Sequence, residues 1–152
     1  MDWYTHLNDD PLPWLLEPDN PSVHYFVLTD LLDRPADDPD VVTAKAVINT
    51  SRPVKNILDA MYPAGYWVKP GPGYSPKYRA TVWSVIFLDQ LGADGSDPRI
   101  HTACEYVLSH TQAPNGGLGE QQRRRPTSAQ QYCHSLFERQ SVAGDARFQL
   151  GR

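Results

Sequence analysis

Apolar residues recur at helical spacing in successive stretches, and most stretches are opened by a cap. Asn20-Pro21 pairs an N-cap with proline at the first helical position, and Val23 to Leu32 then runs apolar on nearly every side. A helix that is apolar all round is a buried helix. Asp38-Pro39 opens the next, with Val41, Ala44, Val47 and Ile48 on one face. Ser51 and Pro53 open a third, carrying Val54, Ile57, Leu58 and Met61 at helical spacing. Glycine, proline and aromatic residues then crowd Tyr62 to Tyr78, which excludes regular helix there. Lys77 to Leu91 reads as a further helix, apolar nearly all round through Tyr78, Val82, Trp83, Val85, Ile86, Phe87 and Leu88. Asp97-Pro98 opens the following one, with Ile100, Ala103, Cys104, Val107, Leu108 and Thr111 along one face. No stretch alternates with period two, so strands are not expected.

The order is a buried helix followed by a one-sided helix, and it occurs twice. At an offset of 59 residues Asp30 matches Asp89, Leu32 matches Leu91, Asp38-Pro39 matches Asp97-Pro98, and Thr43-Ala44 matches Thr102-Ala103. Hairpins stacked in register bury a continuous core that one hairpin cannot bury alone. An inner layer of apolar helices sheathed by one-sided outer helices is the requirement of an α/α toroid. The expected fold is therefore all-α, a partial toroid of helical hairpins.

Composition refines this picture. The 152 residues are 40% hydrophobic and 11% aromatic, enough for one packed domain. No apolar run reaches the ~20 residues of a membrane span. The acidic first 20 residues do not read as a signal peptide. A net charge of -4 argues against nucleic acid as the main partner, and two cysteines are no disulfide framework. A cytoplasmic, reduced protein is the expectation. The balance changes after Gly119. Residues 1–119 hold 8 basic and 15 acidic residues, whereas 120–152 hold 6 arginines against 3 acids. The division expected is a repeat domain over 1–119 and a basic tail over 120–152.

Gln112-Ala-Pro-Asn-Gly-Gly-Leu-Gly119, at the end of an outer helix, resembles the repeat loop of the terpenoid cyclase and protein prenyltransferase superfamily. Gly65-Tyr66-Trp67 followed by Tyr74-Ser-Pro-Lys-Tyr78 looks like the aromatic loop before an inner helix of that family. The resemblance is best over 62–119 and implies the toroid fold. It also implies a cyclase Asp-x-Asp-Asp acid or a zinc site of Asp, Cys and His. Neither stands here: Asp37-Asp38-Pro39-Asp40 has other spacing at an outer-helix cap, and Tyr132-Cys133-His134 lacks the zinc motif's context. Terpene cyclisation and prenyl transfer are therefore not expected, and neither is a cofactor or metal.

A complete toroid has more hairpins than this chain holds. A truncated one would expose inner-helix surface, so a homodimer closing the open side is expected. The tail itself reads as foreign to the family. With suitable codons, a one-base shift turns 130–152 into a peptide that looks like a family inner helix, which suggests a frameshift between 119 and 130. Sequencing the gene decides that reading.

In such a fold the inner-helix starts face a central cavity, where unpaired backbone N–H groups favour anions. His24 falls at the first such start; Tyr74, Lys77, Tyr78, Arg79 and Trp83 fall at the second; His134 falls on a third, and Tyr66 and Trp67 add aromatic wall. This set suits a small apolar or aromatic ligand with a polar or anionic group. The chemistry expected of it is hydrolysis of an activated ester or phosphoester. Tyr78, with Lys77 and Arg79, would hold oxyanion charge, and His24 or His134 would act as base. The alternative is a non-catalytic ligand-binding or structural remnant. His101 and Cys104 have metal spacing, but two ligands make no site.

Overall fold

The computed structural model describes residues 7–110 and 131–136 of the chain. Among the described residues the secondary structure is helical, with no strand, and no helix is long and apolar enough to cross a membrane. The elements are α1 (Leu12–Leu15), α2 (Pro21–Phe26), α3 (Pro39–Ile48), α4 (Arg52–Asp59), α5 (Thr81–Gln90) and α6 (Pro98–His110), with a short helical stretch at 131–136. A π-turn, Val27–Leu31, continues α2. There the Thr29 hydroxyl donates back to the Tyr25 carbonyl, the kind of side-chain bond that competes with a regular helix.

Two hairpins organise the chain. The α2 helix and its π-turn pack on α3, α5 packs on α6, and α4 leans on α5. The 59-residue offset holds at the level of single bonds. Asp38 caps α3 by accepting from the Asp40 N–H at 2.9 Å, and Asp97 caps α6 by accepting from the Arg99 N–H at 2.9 Å. Thr43 donates to the Pro39 carbonyl as Thr102 donates to that of Pro98. Thr50 donates to the Val47 carbonyl as Ser109 does to that of Tyr106. Asp33 and Gly92, which end the inner helices, both take positive φ, 51° and 71°. The buried positions also correspond: Ser22 with Thr81, Val41 with Ile100, Ala44 with Ala103, and Ile48 with Val107.

Polar contacts join the copies at the end of α5. The Lys45 ammonium donates to the Gly92 carbonyl at 2.9 Å and lies over the Tyr25 ring. The Asn49 side chain accepts from the Asp94 N–H at 2.7 Å and donates to the Asp94 carbonyl at 3.4 Å. A Cβ on Gly92 would stand 3.1 Å from the Phe26 ring, so glycine serves both the left-handed turn and the close approach.

Three expectations need correction. The inner helix proposed over Val23–Leu32 is not buried on nearly all sides. Val23, Tyr25 and Phe26 are half-buried and Leu31 is exposed: α3 and Leu16 cover part of the helix, and Tyr25 and Phe26 reach the main core and Gly92. Val47 is exposed: Val41, Ala44 and Ile48 form the stripe of α3, and Val47 lies at its edge. The second inner helix begins at Thr81 rather than Lys77, because residues 76–80 form a closed turn with Tyr78 at φ 65°. By contrast α5 is buried on nearly every side, and α6 buries the expected Ile100, Ala103, Cys104 and Val107.

The main core joins α4, α5 and α6 with Trp67 and with Cys133 and Leu136 of 131–136. Thr111, the Gln112–Gly119 loop, the basic run and the residues behind the frameshift reading, apart from 131–136, lie outside the described residues.

Candidate ligand site at the turn before α5

Loop 62–80 carries the aromatic residues onto α5 and α6. Gly65 sits so close to α6 that a Cβ there would collide with the Thr102 carbonyl. This contact sets the entry of the next two residues. Tyr66 stacks on Tyr62 with ring centroids 4.9 Å apart and tilts against Tyr106 at 5.4 Å. Trp67 turns the other way, into the core. Its backbone N–H donates to the Thr81 hydroxyl at 3.1 Å, and its indole N–H donates to the Ile57 carbonyl at 2.7 Å. The loop then climbs through Val68, held at φ 68°, and returns at Gly73, whose carbonyl accepts from the Val82 N–H at 3.0 Å. A left-handed valine or tyrosine costs about 1–3 kcal/mol, so Val68 and Tyr78 persist only because this packing fixes the loop.

The strained turn gathers one cluster. The Trp83 indole N–H donates to the Tyr74 carbonyl at 3.0 Å, and the Tyr74 and Trp83 rings lie 5.3 Å apart. Tyr78 meets Trp83 edge-on at 4.7 Å. The Lys77 ammonium lies 4.8 Å from the Tyr78 centroid and 5.8 Å from that of Trp83, within cation–π range of both. A hydrogen bond to Tyr78, then the charge interaction with it, hold the Lys77 ammonium above its ordinary pKa. Tyr74 and Tyr78 each remain 58% exposed beside the Lys77 ammonium.

The other expected site residues are distributed differently. Arg79 is exposed in the same turn. Lys77, Tyr78 and Arg79 stand ahead of the helix rather than in its first turn. Trp67 is core, and Tyr66 belongs to the Tyr62–Tyr106 stack instead of the Lys77 cluster. His24 is half-buried on α2, and His134 is exposed on 131–136. Among the described residues, the ring contacts of the Tyr74–Lys77–Tyr78–Trp83 cluster include neither histidine.

Two groupings are not evident from the sequence. Tyr106 and His110 stack at 3.9 Å, and the Tyr106 hydroxyl accepts from the Gly71 N–H at 2.7 Å, which ties loop to helix. The i,i+4 spacing of these rings on one helix is the signal that could have revealed the stack. Behind α5, buried Asp89 accepts a 2.6 Å hydrogen bond from the Ser135 hydroxyl. Cys104 and Cys133 are both buried in the same core; hydrogen bonding to the Cys104 thiol, then burial, push the Cys133 thiol above its ordinary pKa. No group of three or more metal-ligating side chains occurs among the described residues. No family model, curated protein or solved structure matches the chain.

Proposed function

We propose that the chain is a partial α/α toroid that binds a small aromatic or apolar ligand carrying an anionic group, at Tyr74, Lys77, Tyr78 and Trp83. The observation that carries this reading is a lysine ammonium within cation–π range of two aromatic rings, in a turn where Tyr74 and Tyr78 are exposed. An aromatic ligand can stack on those rings while its anion pairs with Lys77 or Arg79. The bond-by-bond repetition of the hairpins supports the toroid and the likeness to terpenoid cyclase-like repeats. Ester or phosphoester hydrolysis at the same turn would need His24 or His134 as base. The cluster's ring contacts favour binding over turnover, since they bring in neither histidine.

4-Nitrophenyl phosphate tests both activities, because it is an aromatic anion and a chromogenic ester. Saturable quenching of Trp83 fluorescence is expected in the wild type and not in Trp83→Phe. Lys77→Ala should weaken binding several-fold, the scale expected when an exposed cation beside aromatic rings is removed. Equal affinity in the wild type and Lys77→Ala would remove the site. Nitrophenol release that disappears in His24→Ala or His134→Ala would establish hydrolysis instead.

Association of two copies belongs to the same proposal. On the first inner helix Leu31 is 41% exposed and Val23, Tyr25 and Phe26 are half-buried, whereas the second inner helix, α5, is buried on nearly every side. Light scattering at micromolar concentration should give a dimer mass, and Leu31→Asp should return it to monomer. A wild-type monomer would count against closure by a second copy.

A further inference from the structure

We propose that the aromatic and cationic turn before α5 receives the Trp14 segment of a second copy of this chain, and that the two copies exchange these segments reciprocally. The inference rests on the reading of that turn as a site for an aromatic group carrying an anion, and it names the group. Trp14 on α1 is 70% exposed, more than any other large hydrophobic side chain among the described residues. Its surroundings are acidic: residues 7–20 hold Asp9, Asp10, Glu17 and Asp19, all exposed, and no lysine or arginine. The loop over 62–80 has the opposite balance, with Lys69, Lys77 and Arg79 all exposed and no acid. Among the described residues, neither set takes part in a salt bridge.

In this fold the two surfaces do not cover each other, since Trp14, Tyr74 and Tyr78 are exposed together. The α1 turn is held beside the first hairpin, where Leu16 packs against Leu28, Val41 and Ala44. The turn before α5 is held by the bond from Trp83 to the Tyr74 carbonyl. A second copy brings the two together. Each Trp14 ring then stacks on the exposed Tyr74 and Tyr78 of the other copy, and the neighbouring carboxylates meet Lys77 and Arg79. The acids ahead of α1 are oriented by the backbone: Asp9 and Asp10 each use one carboxylate oxygen to accept an N–H, from Asp10 and Leu12, at 2.8 and 2.9 Å. Tryptophan, tyrosine and arginine are the side chains that most often carry binding energy at an interface. A reciprocal pair uses the contact twice, as two-fold symmetry requires. Closure over the first inner helix then has a defined anchor, because α1 comes directly before α2.

The test follows association of the full chain by sedimentation and ligand binding by fluorescence. Trp14→Ala should weaken association by about tenfold or more, the scale of a central interface tryptophan. Lys77→Ala combined with Arg79→Ala should weaken it from the other side. Mixed one to one, the two variants should associate more tightly than either does alone, because the mixed pair keeps one intact insertion: α1 of the double variant in the turn of the Trp14→Ala chain. 4-Nitrophenyl phosphate competes for the same turn, so it should dissociate the wild-type dimer and bind Trp14→Ala more tightly than the wild type. A wild-type monomer, a Trp14→Ala protein that dimerises like the wild type, or a mixture no tighter than its components overturns the exchange. So does equal affinity of 4-nitrophenyl phosphate for the wild type and Trp14→Ala. If no variant binds 4-nitrophenyl phosphate while the mixture recovers association, the small-ligand reading falls and the exchange stands.

Discussion

Trp67→Ala is expected to lower the unfolding free energy by about 3–5 kcal/mol, the cost of emptying a large aromatic site that the core cannot refill. Trp67 is only 4% exposed and packs within the cluster shared by α4, α5 and α6. Its backbone bond to Thr81 survives the substitution, so the loss comes from two other sources. One is the indole volume. The other is the Ile57 carbonyl, which loses its 2.7 Å donor near the end of α4. Removing the partner of a buried acceptor adds about 1–3 kcal/mol when no water replaces it. Trp67→Phe separates the two sources, since it keeps much of the volume and drops the donor. Its cost should fall between the wild type and alanine. Urea unfolding of the three proteins provides the comparison. A loss below about 1 kcal/mol in Trp67→Ala, the size of many ordinary substitutions, would mean that the loop does not fasten α4 to α5. The position of Tyr78 and Lys77 would then have to be explained without it.

The features legible in the sequence are the local ones. Asn20, Asp38 and Asp97 could be read as caps because each bonds an N–H two or three residues ahead. Their repetition at 59 residues survives in the structure for the same reason: the matching groups are caps, turn residues and stripe positions, each set by a few neighbours. The errors come from geometry that spacing does not encode. An apolar run cannot show the left-handed Tyr78 that delays α5 to Thr81. Nor can it show the Thr29 bond beside the π-turn. Val47 and Tyr106 occupy equivalent repeat positions, but a loop covers one and not the other, and that difference arises only in the tertiary fold.

The site follows the same division. Tyr74, Lys77, Tyr78 and Trp83 lie within ten residues of one another, so one turn assembles them and the sequence names all four. His24 and His134 depend on how remote elements pack, and grouping them with Tyr78 drew on the toroid alone. The Asp89–Ser135 bond spans 46 residues, which places it beyond any local motif. The same holds for the two cysteines, whose number and spacing gave no hint that they share one core.

Leu136→Ala should cost about 2–5 kcal/mol, the range for a truncated buried leucine. Leu136 is 1% exposed and belongs to the main core, although α6 ends well before it in sequence. Within 131–136, Cys133 and Leu136 are the residues buried in the core with α5 and α6. Shortening Leu136 removes apolar contact and weakens the register that brings Ser135 to Asp89, so the two effects should appear together. Gln131→Ala, on the exposed side of the same stretch, should stay within about 0.5 kcal/mol, as surface changes do. Denaturant midpoints measure the stability difference. Thiol labelling of the folded protein provides a second readout, because a loosened stretch uncovers Cys133 and should label faster in Leu136→Ala than in Gln131→Ala. If the two variants match in both measurements, the core closes at α6 and 131–136 rests on it without holding it together.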